Sequence, residues 1–482
     1  MKGIVSYSAY VPVNKIERKT IFQSMGWLNR AAFMRGSKTV ANFDEDCVTM
    51  AVAAGMDCLE GYEREKVGGV YFATTTSPFK ERRCADIAAT AMDLTNQIRA
   101  ADFTDSLSSG TSALIAAIES IEAGSMDSIL VCASDVRLGK PGSSQEISFS
   151  DGAASLLLGN SGVIASYEGS YSVAYDLPDH WRMEYDKADR SWEDRLGREQ
   201  GYKKFILEVI QGLLNKYNLH PKDIAKLVFP GVYPRDHAVI SKKLGFDSDQ
   251  LQDHLMESLG NTGASYPLIL LISALEEANP GDRILIAGYG SGSDALIFQV
   301  TEEIVKVRNQ HKSLKQYLDS RKELQNYEKY LAFRNFISPE TGIRGEAIPY
   351  TALSLVWRNR REILGLCGTK CKKCGVPQYP RQRVCVNPNC GATDEMEPYR
   401  FSDKKAKVFS FTGDMLAFTP NPPGIYAVVD FDGGGRYWFD VTDCDLESME
   451  IGMPMEMSFR RRYTDEKGGV IGYFWKAVPI RI

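Results

Sequence analysis

Cys371 and Cys374 are separated by two residues, and ten residues later come Cys385 and Cys390, separated by four. No other feature restricts the fold of the chain as tightly. Four thiolates in two close pairs wrap one tetrahedral zinc ion, each pair forming a knuckle turn and the stretch between them folding back as a ribbon. Gly375 and Gly391 supply the small residues that such turns need beside the sulfurs. Five of the ten cysteines fall between Cys367 and Cys390, a density that neither chance nor a lone redox pair explains. The expectation is a structural zinc held by Cys371, Cys374, Cys385 and Cys390, with Cys367 as a buried thiol or an alternative ligand. Since protein fills all four positions, this metal holds a fold together and does no chemistry.

The length, 482 residues, suits about three domains, or one large doubled domain with a smaller appendage. No run of about 20 apolar residues is present, and Met1-Lys-Gly-Ile-Val enters a strand-like pattern at once, so neither a membrane span nor a signal peptide is expected. The remaining cysteines (Cys47, Cys58, Cys84, Cys132 and Cys444) are scattered, which suits a reducing cytoplasm. A net charge of −5 argues against nucleic-acid binding. The basic runs Arg358–Arg361 and Arg460–Arg462 read as solvated faces.

Through the first ~300 residues, short apolar strands alternate with helices, the pattern of an α/β fold with buried sheets. Strands are expected at Ile4-Val5, Val67–Ala73, Ser128–Ala133 and Ala153–Leu158, the last after a turn at Ser150-Asp151-Gly152. A small-residue helix, Thr111–Ile121, lies between them. A second series repeats the outline: Lys226–Phe229, a helix over Ser265–Glu277, then Arg283–Ala287 and Ala295–Val300. From Glu302 to about Glu346 the composition turns charged and aromatic, an amphipathic helical excursion. Residues 349–364 read as a helix leading into the ribbon. Beyond Tyr399, five evenly spaced strands (Lys407–Phe411, Ile425–Phe431, Arg436–Val441, Pro454–Arg460, Val470–Ala477) suggest a small closed barrel of OB type. The expected domains are therefore 1–345, 346–398 and 399–482.

Helix, ribbon and barrel in this order resemble the small acyl-CoA-associated proteins that accompany thiolase-type enzymes; the segment Gly368–Cys385 carries the match. The first ~345 residues resemble the hydroxymethylglutaryl-CoA synthase branch of the thiolase superfamily. That likeness rests on Ser108-Ser-Gly-Thr-Ser-Ala-Leu114, Ser150-Asp-Gly-Ala-Ala154, Lys242-Lys-Leu-Gly-Phe246, Gly260-Asn-Thr262 and Gly288-Tyr-Gly-Ser-Gly-Ser293. The resemblance implies a duplicated thiolase-like αβαβα domain that forms a homodimer or higher oligomer, followed by the zinc ribbon and the OB-like barrel. It also implies a CoA thioester substrate and, as partners, other enzymes of an acyl-CoA pathway.

The family joins acetyl units with a Cys, a His and a Glu, and the same resemblance puts Leu107, Pro230 and the Thr74–Thr76 turn at those positions. No cysteine lies between residues 85 and 131. An acyl-cysteine intermediate needs a thiolate on that turn, and the serines beside it (Ser106, Ser108, Ser109) have no base nearby in sequence. What remains is equipment for enolate stabilisation: Asn261 and the Gly290-Ser291-Gly292 turn. Tyr233, Tyr289 and His237 are candidates for proton transfer, with Tyr266 a further tyrosine in the region; Lys242 and Lys243 follow the region that holds CoA phosphates in relatives. Asp151 reads as a turn residue and Cys84 as a buried helix cysteine. Three functions are open: aldol or retro-aldol cleavage of a 3-hydroxyacyl-CoA; an acyltransferase or condensing enzyme resembling the synthase or a thiolase; and a non-catalytic scaffold that binds acyl-CoA.

Overall fold

The structure, a computed structural model, describes residues 1–308, 310–340 and 350–481. It contains two compact units. One comprises Met1–Ala41, Ala54–Asp86 and Thr95–Tyr330; the other comprises Asn42–Ala53, Ile87–Leu94 and Leu331–Ile482. The boundary expected at 345/346 lies outside the described residues.

The first unit is built on one nine-stranded sheet. Its spatial order is Lys226–Val228, Arg283–Gly290, Gly292–Val300, Ala165–Ala174, Gly3–Tyr10, Asp151–Gly159, Ser128–Val136, Gly69–Ala73 and Arg99–Phe103. The two sequence series form its two halves. They join where Gly3 and Ile4 pair with Ser166 and Ala165. Strands buried on both faces are apolar throughout rather than alternating, and every residue of Asp151–Gly159 is buried. Asp151 opens this strand instead of sitting in a turn, and its carboxylate accepts the Ala41 N–H at 2.6 Å.

Two helices, Ser109–Glu122 and Tyr266–Glu277, pack against each other and touch strands of both halves, which makes them a middle layer. Their small and aliphatic residues permit this. Gly110, Thr111, Ala113 and Ala117 let the first helix approach closely, and nine residues of the second are buried. The Lys203–Lys216 helix covers the opposite face of the second half, burying Phe205, Ile206, Val209, Ile210, Leu213 and Leu214. The charged stretch after Val300 is not one helical excursion. It divides into Ile304–Val307, Leu314–Asp319 and Tyr327–Phe333, and Lys322–Glu323 forms a strand beside Asn14 and Lys15.

In the second unit, Cys367–Cys371 is the central strand of a three-stranded ribbon, flanked by Pro377–Gln378 and Met396–Arg400. The helix expected over 349–364 is two short pieces, Leu353–Arg358 and Arg360–Ile363, broken at Asn359. Five strands, Ala406–Asp414, Gly424–Phe431, Arg436–Val441, Val470–Pro479 and Pro454–Asp465, close into a barrel, sealed where Ala406 pairs with Met455. Gly424–Phe431 shows the expected alternation of buried and half-buried positions. Arg460 departs from its reading as a solvated residue. Only 1% exposed, it lies between the carboxylates of Asp44 at 3.2 Å, Glu45 at 2.9 Å and Asp443. A buried guanidinium is tolerable only with partners of this kind.

Candidate active site and zinc centre

The four ribbon sulfurs lie within 4.8 Å of one another. Cys371 and Cys390 are 3.8 Å apart and Cys374 and Cys385 3.5 Å, and none is in a disulfide. A tetrahedron of sulfurs each ~2.3 Å from zinc has edges of about 3.8 Å, so the thiols are spaced for the metal. Cys371, Cys374, Cys385 and Cys390 are the ligands of a structural zinc. Cys367 stands apart, its sulfur 3.5 Å from the Gly365 carbonyl, and burial pushes its thiol up to about 12.

In the first unit, Leu107 is buried just before the Ser109–Glu122 helix. Ser106 Oγ lies 2.9 Å from Ser108 Oγ and accepts the Ser291 N–H at 3.0 Å. Gly290 makes this approach possible, since a Cβ there would strike Ser106 Oγ and the Ser108 amide. Among the described residues, no carboxylate or imidazole bonds Ser106, Ser108 or Ser109. The Ser291 amide, expected as an oxyanion donor, is already engaged by Ser106, while the Ser291 residue itself is exposed.

Asn261 sits in the turn before the second central helix. Its Oδ1 accepts the Gly263 N–H at 3.0 Å, and its Nδ2 makes no hydrogen bond among the described residues. Three residues on, the Ala264 N–H donates to Asp135 Oδ2 at 2.8 Å. The same carboxylate accepts the Thr75 N–H at 2.6 Å and the hydroxyls of Thr74, Thr75 and Thr76 at 2.9, 3.0 and 3.1 Å. Burial pushes this carboxyl up, opposed by the Ala264 and Thr75 amides. Gly110 closes the arrangement, because a Cβ on it would strike the Ala264 carbonyl. The threonine turn, the Asn261–Ala264 turn and the first turn of the central helix therefore converge. Asp135 is the residue at their junction that sequence reasoning missed.

Tyr233, Tyr289 and His237 are not brought to this point. Along the strand, Gly288 and Gly290 face the central helix, where a Cβ on either would meet Thr111 or Ser106. Tyr289, between them, points to the other face and packs on Tyr202 and Phe205 with ring centres 5.5 and 6.2 Å away. Its hydroxyl donates to Asp179, whose other oxygen is 2.7 Å from His180 Nδ1. Tyr233 donates to Asp194 at 3.0 Å. Tyr202, a second missed residue, donates to the Pro230 carbonyl at 2.6 Å and packs between Tyr233 and Tyr289, its ring tilted to the first and edge-on to the second. His237 is buried against Phe229, with Nε2 3.0 Å from the Phe229 carbonyl. Burial, then the charge of His254, brings it down to about 4, so it is a neutral core histidine at pH 7. Lys242 and Lys243 are exposed on the last turn of the Pro234–Lys243 helix. Tyr266 is buried and donates to the His254 carbonyl, and Cys84 is buried with Sγ 3.4 Å from Ser77 Oγ.

Residues 364–397 match the family described as ChsH2, rubredoxin-like zinc ribbon domain, and residues 399–460 match ChsH2, C-terminal OB-fold domain. Residues 214–299 match the 3-oxoacyl-[acyl-carrier-protein (ACP)] synthase III C-terminal family. The hydroxymethylglutaryl-CoA synthase of Methanopyrus kandleri is 32% identical over 330 residues, which are 66% of this chain and 93% of that protein. Its counterpart from Methanocaldococcus jannaschii is 32% identical over 346 residues, covering 70% and 99%. Among solved structures, an HMG-CoA synthase complexed with CoA superposes with a TM-score of 0.61 at 18% identity, covering 71% of this chain and 92% of that one. The 3-oxoacyl-[acyl-carrier-protein] synthase III of Aquifex aeolicus gives 0.54 at 19% identity, covering 62% and 100%. These likenesses bear out the expected thiolase-like fold.

Proposed function

Because the chain belongs to the hydroxymethylglutaryl-CoA synthase family, we propose that it works on a CoA thioester without an acyl-enzyme, cleaving or forming a carbon–carbon bond by aldol chemistry. The observation that carries this reading is Leu107 on the turn that we assign to the nucleophile, beside three serines that no carboxylate or imidazole bonds among the described residues. A hydrocarbon side chain cannot be acylated, and a serine without a base is a weak nucleophile.

Retro-aldol cleavage needs less. A base takes the hydroxyl proton of a 3-hydroxyacyl-CoA, the bond between carbons 2 and 3 breaks, a carbonyl compound leaves, and the thioester enolate takes up a proton at carbon 2. The enolate oxygen needs a donor, and Asn261 offers its free Nδ2–H at the junction of the three turns. Tyr202, Tyr233 and Tyr289 pack together on the other face of the Arg283–Gly290 strand, so the hydroxyl proton is not assigned to them. Lys242 and Lys243 would meet CoA phosphates only at the protein surface.

The test is direct. Purified protein incubated with a series of 3-hydroxyacyl-CoA thioesters should release shortened acyl-CoA and an aldehyde or ketone in equal amounts, resolved by chromatography. Transfer of an acyl group to a second thioester, with no carbonyl product, would replace the aldolase reading with the condensing one. Absence of thioester binding by calorimetry would leave the scaffold.

A further inference from the structure

Asp57 lies in the last turn of the Cys47–Cys58 helix, Glu60 follows just beyond it, and His311 reaches the same place from a distant loop. One ligand atom from each of the three lies within 4.8 Å of the others. The hydrogen bonds around them orient the imidazole. The Ser6 hydroxyl has a single proton, which it donates to the Cys58 carbonyl at 2.7 Å. Toward His311 Nε2, 3.1 Å away, the same oxygen can therefore only accept. In this arrangement Nε2 carries the ring proton and Nδ1 keeps its lone pair. That nitrogen is buried and has no hydrogen-bond partner among the described residues. Ser8 Oγ donates to Asp57 Oδ2 at 2.9 Å and fixes the carboxylate beside it.

A buried lone pair next to two carboxylates is costly unless a cation lies among them. A histidine whose other ring nitrogen donates to an oriented oxygen is also the usual form of a metal-bound imidazole. We infer that Asp57, Glu60 and His311 bind a divalent transition-metal ion through one nitrogen and two carboxylate oxygens, with the remaining positions open to water. Imidazole favours zinc or its first-row neighbours over magnesium and calcium. Glu60 is exposed, so an ion can enter from solvent. The site uses no sulfur and is independent of the ribbon and of the proposed aldol chemistry.

Full-length protein is loaded with excess zinc chloride, desalted and analysed by mass spectrometry of its metals. Wild type should hold about two zinc ions per chain, one in the ribbon and one here. His311→Ala and Glu60→Gln should each lose about one, while Cys374→Ser should keep the ion at this site. Loading with cobalt separates the two centres: the ribbon gives intense sulfur-to-cobalt charge-transfer bands, and the nitrogen–oxygen site only weak d–d bands. If His311→Ala misfolds, the substitution at exposed Glu60 decides. A single zinc under excess metal, or a second ion that survives both substitutions, overturns the inference.

Discussion

Ala264 gives its backbone N–H to the buried carboxylate of Asp135 at 2.8 Å. Through that one bond, the turn carrying Asn261 is fastened to the strand end that also holds Thr74, Thr75 and Thr76. Asp135 accepts from two backbone amides and three hydroxyls, and no neutral side chain of its size has that many acceptor positions.

Asp135→Asn should therefore destabilise the first unit. An amide replaces one acceptor oxygen with a donor that faces an N–H, and the loss is of the order of 2–4 kcal/mol. Urea unfolding followed by fluorescence measures it. A midpoint unchanged from wild type would mean that the three turns are held by packing alone.

Cys374→Ser should remove the ribbon zinc and unfold residues 364–397 without disturbing the nine-stranded sheet. Metal binding and folding are coupled in such ribbons, and Cys374 is the most exposed of the four ligands, so its loss opens the site. Limited proteolysis should cut within the ribbon and leave the first unit intact. A ribbon that stays protected after losing its zinc would refute the structural role.

Much of this was legible in the sequence, for reasons that differ by region. The ribbon was readable because all its ligands lie within 20 residues, and the barrel strands because one buried face alternates with a wet one. Asp135 and Tyr202 were not, because their partners, Ala264 and Pro230, are distant in sequence and leave no local pattern. Arg460 looked solvated for the same reason: its partners Asp44 and Glu45 lie some 400 residues earlier. The direction of Tyr289 was available, however. Gly288-Tyr-Gly290 in a strand must put the tyrosine on the face opposite the glycines, and the glycines mark the close approach of the central helix.

Glu276 gives a pH test. Burial raises its carboxyl to about 7, only partly offset by the Leu314 N–H at 2.9 Å. A carboxyl raised in the folded state favours folding while protonated, so its contribution is full below about 4.5 and is lost as pH rises through about 7. Glu276→Gln keeps the acceptor for Leu314 and removes the titration. The variant should match wild type near pH 4.5 and exceed it near pH 8, by roughly 2 kcal/mol given the partial exposure of the group. Thermal unfolding across that range checks the slope, and parallel curves for the two proteins would exclude Glu276 as the cause.

The sharpest expectation that follows from the proposed role of Leu107 is that no acyl-enzyme forms. Wild-type protein incubated with acetyl-CoA should gain no acyl mass on Ser106, Ser108, Ser109 or Cys84, as read by intact-mass and peptide mass spectrometry. Leu107→Cys should change this. Residue 107 lies just before the Ser109–Glu122 helix, where the helix N-terminus favours a thiolate, and the volume of leucine leaves room for a thiol. The variant should acquire one acetyl group per chain on the new cysteine while aldol cleavage, which does not use residue 107, persists. Asn261→Ala should do the reverse, lowering cleavage by about 10²–10³-fold, the usual cost of an oxyanion donor, without affecting acetylation of Leu107→Cys in the double variant. An acetyl group on a wild-type serine or on Cys84 would return the protein to covalent acyl transfer, and Leu107→Cys that stays unmodified would mean that residue 107 does not face the thioester.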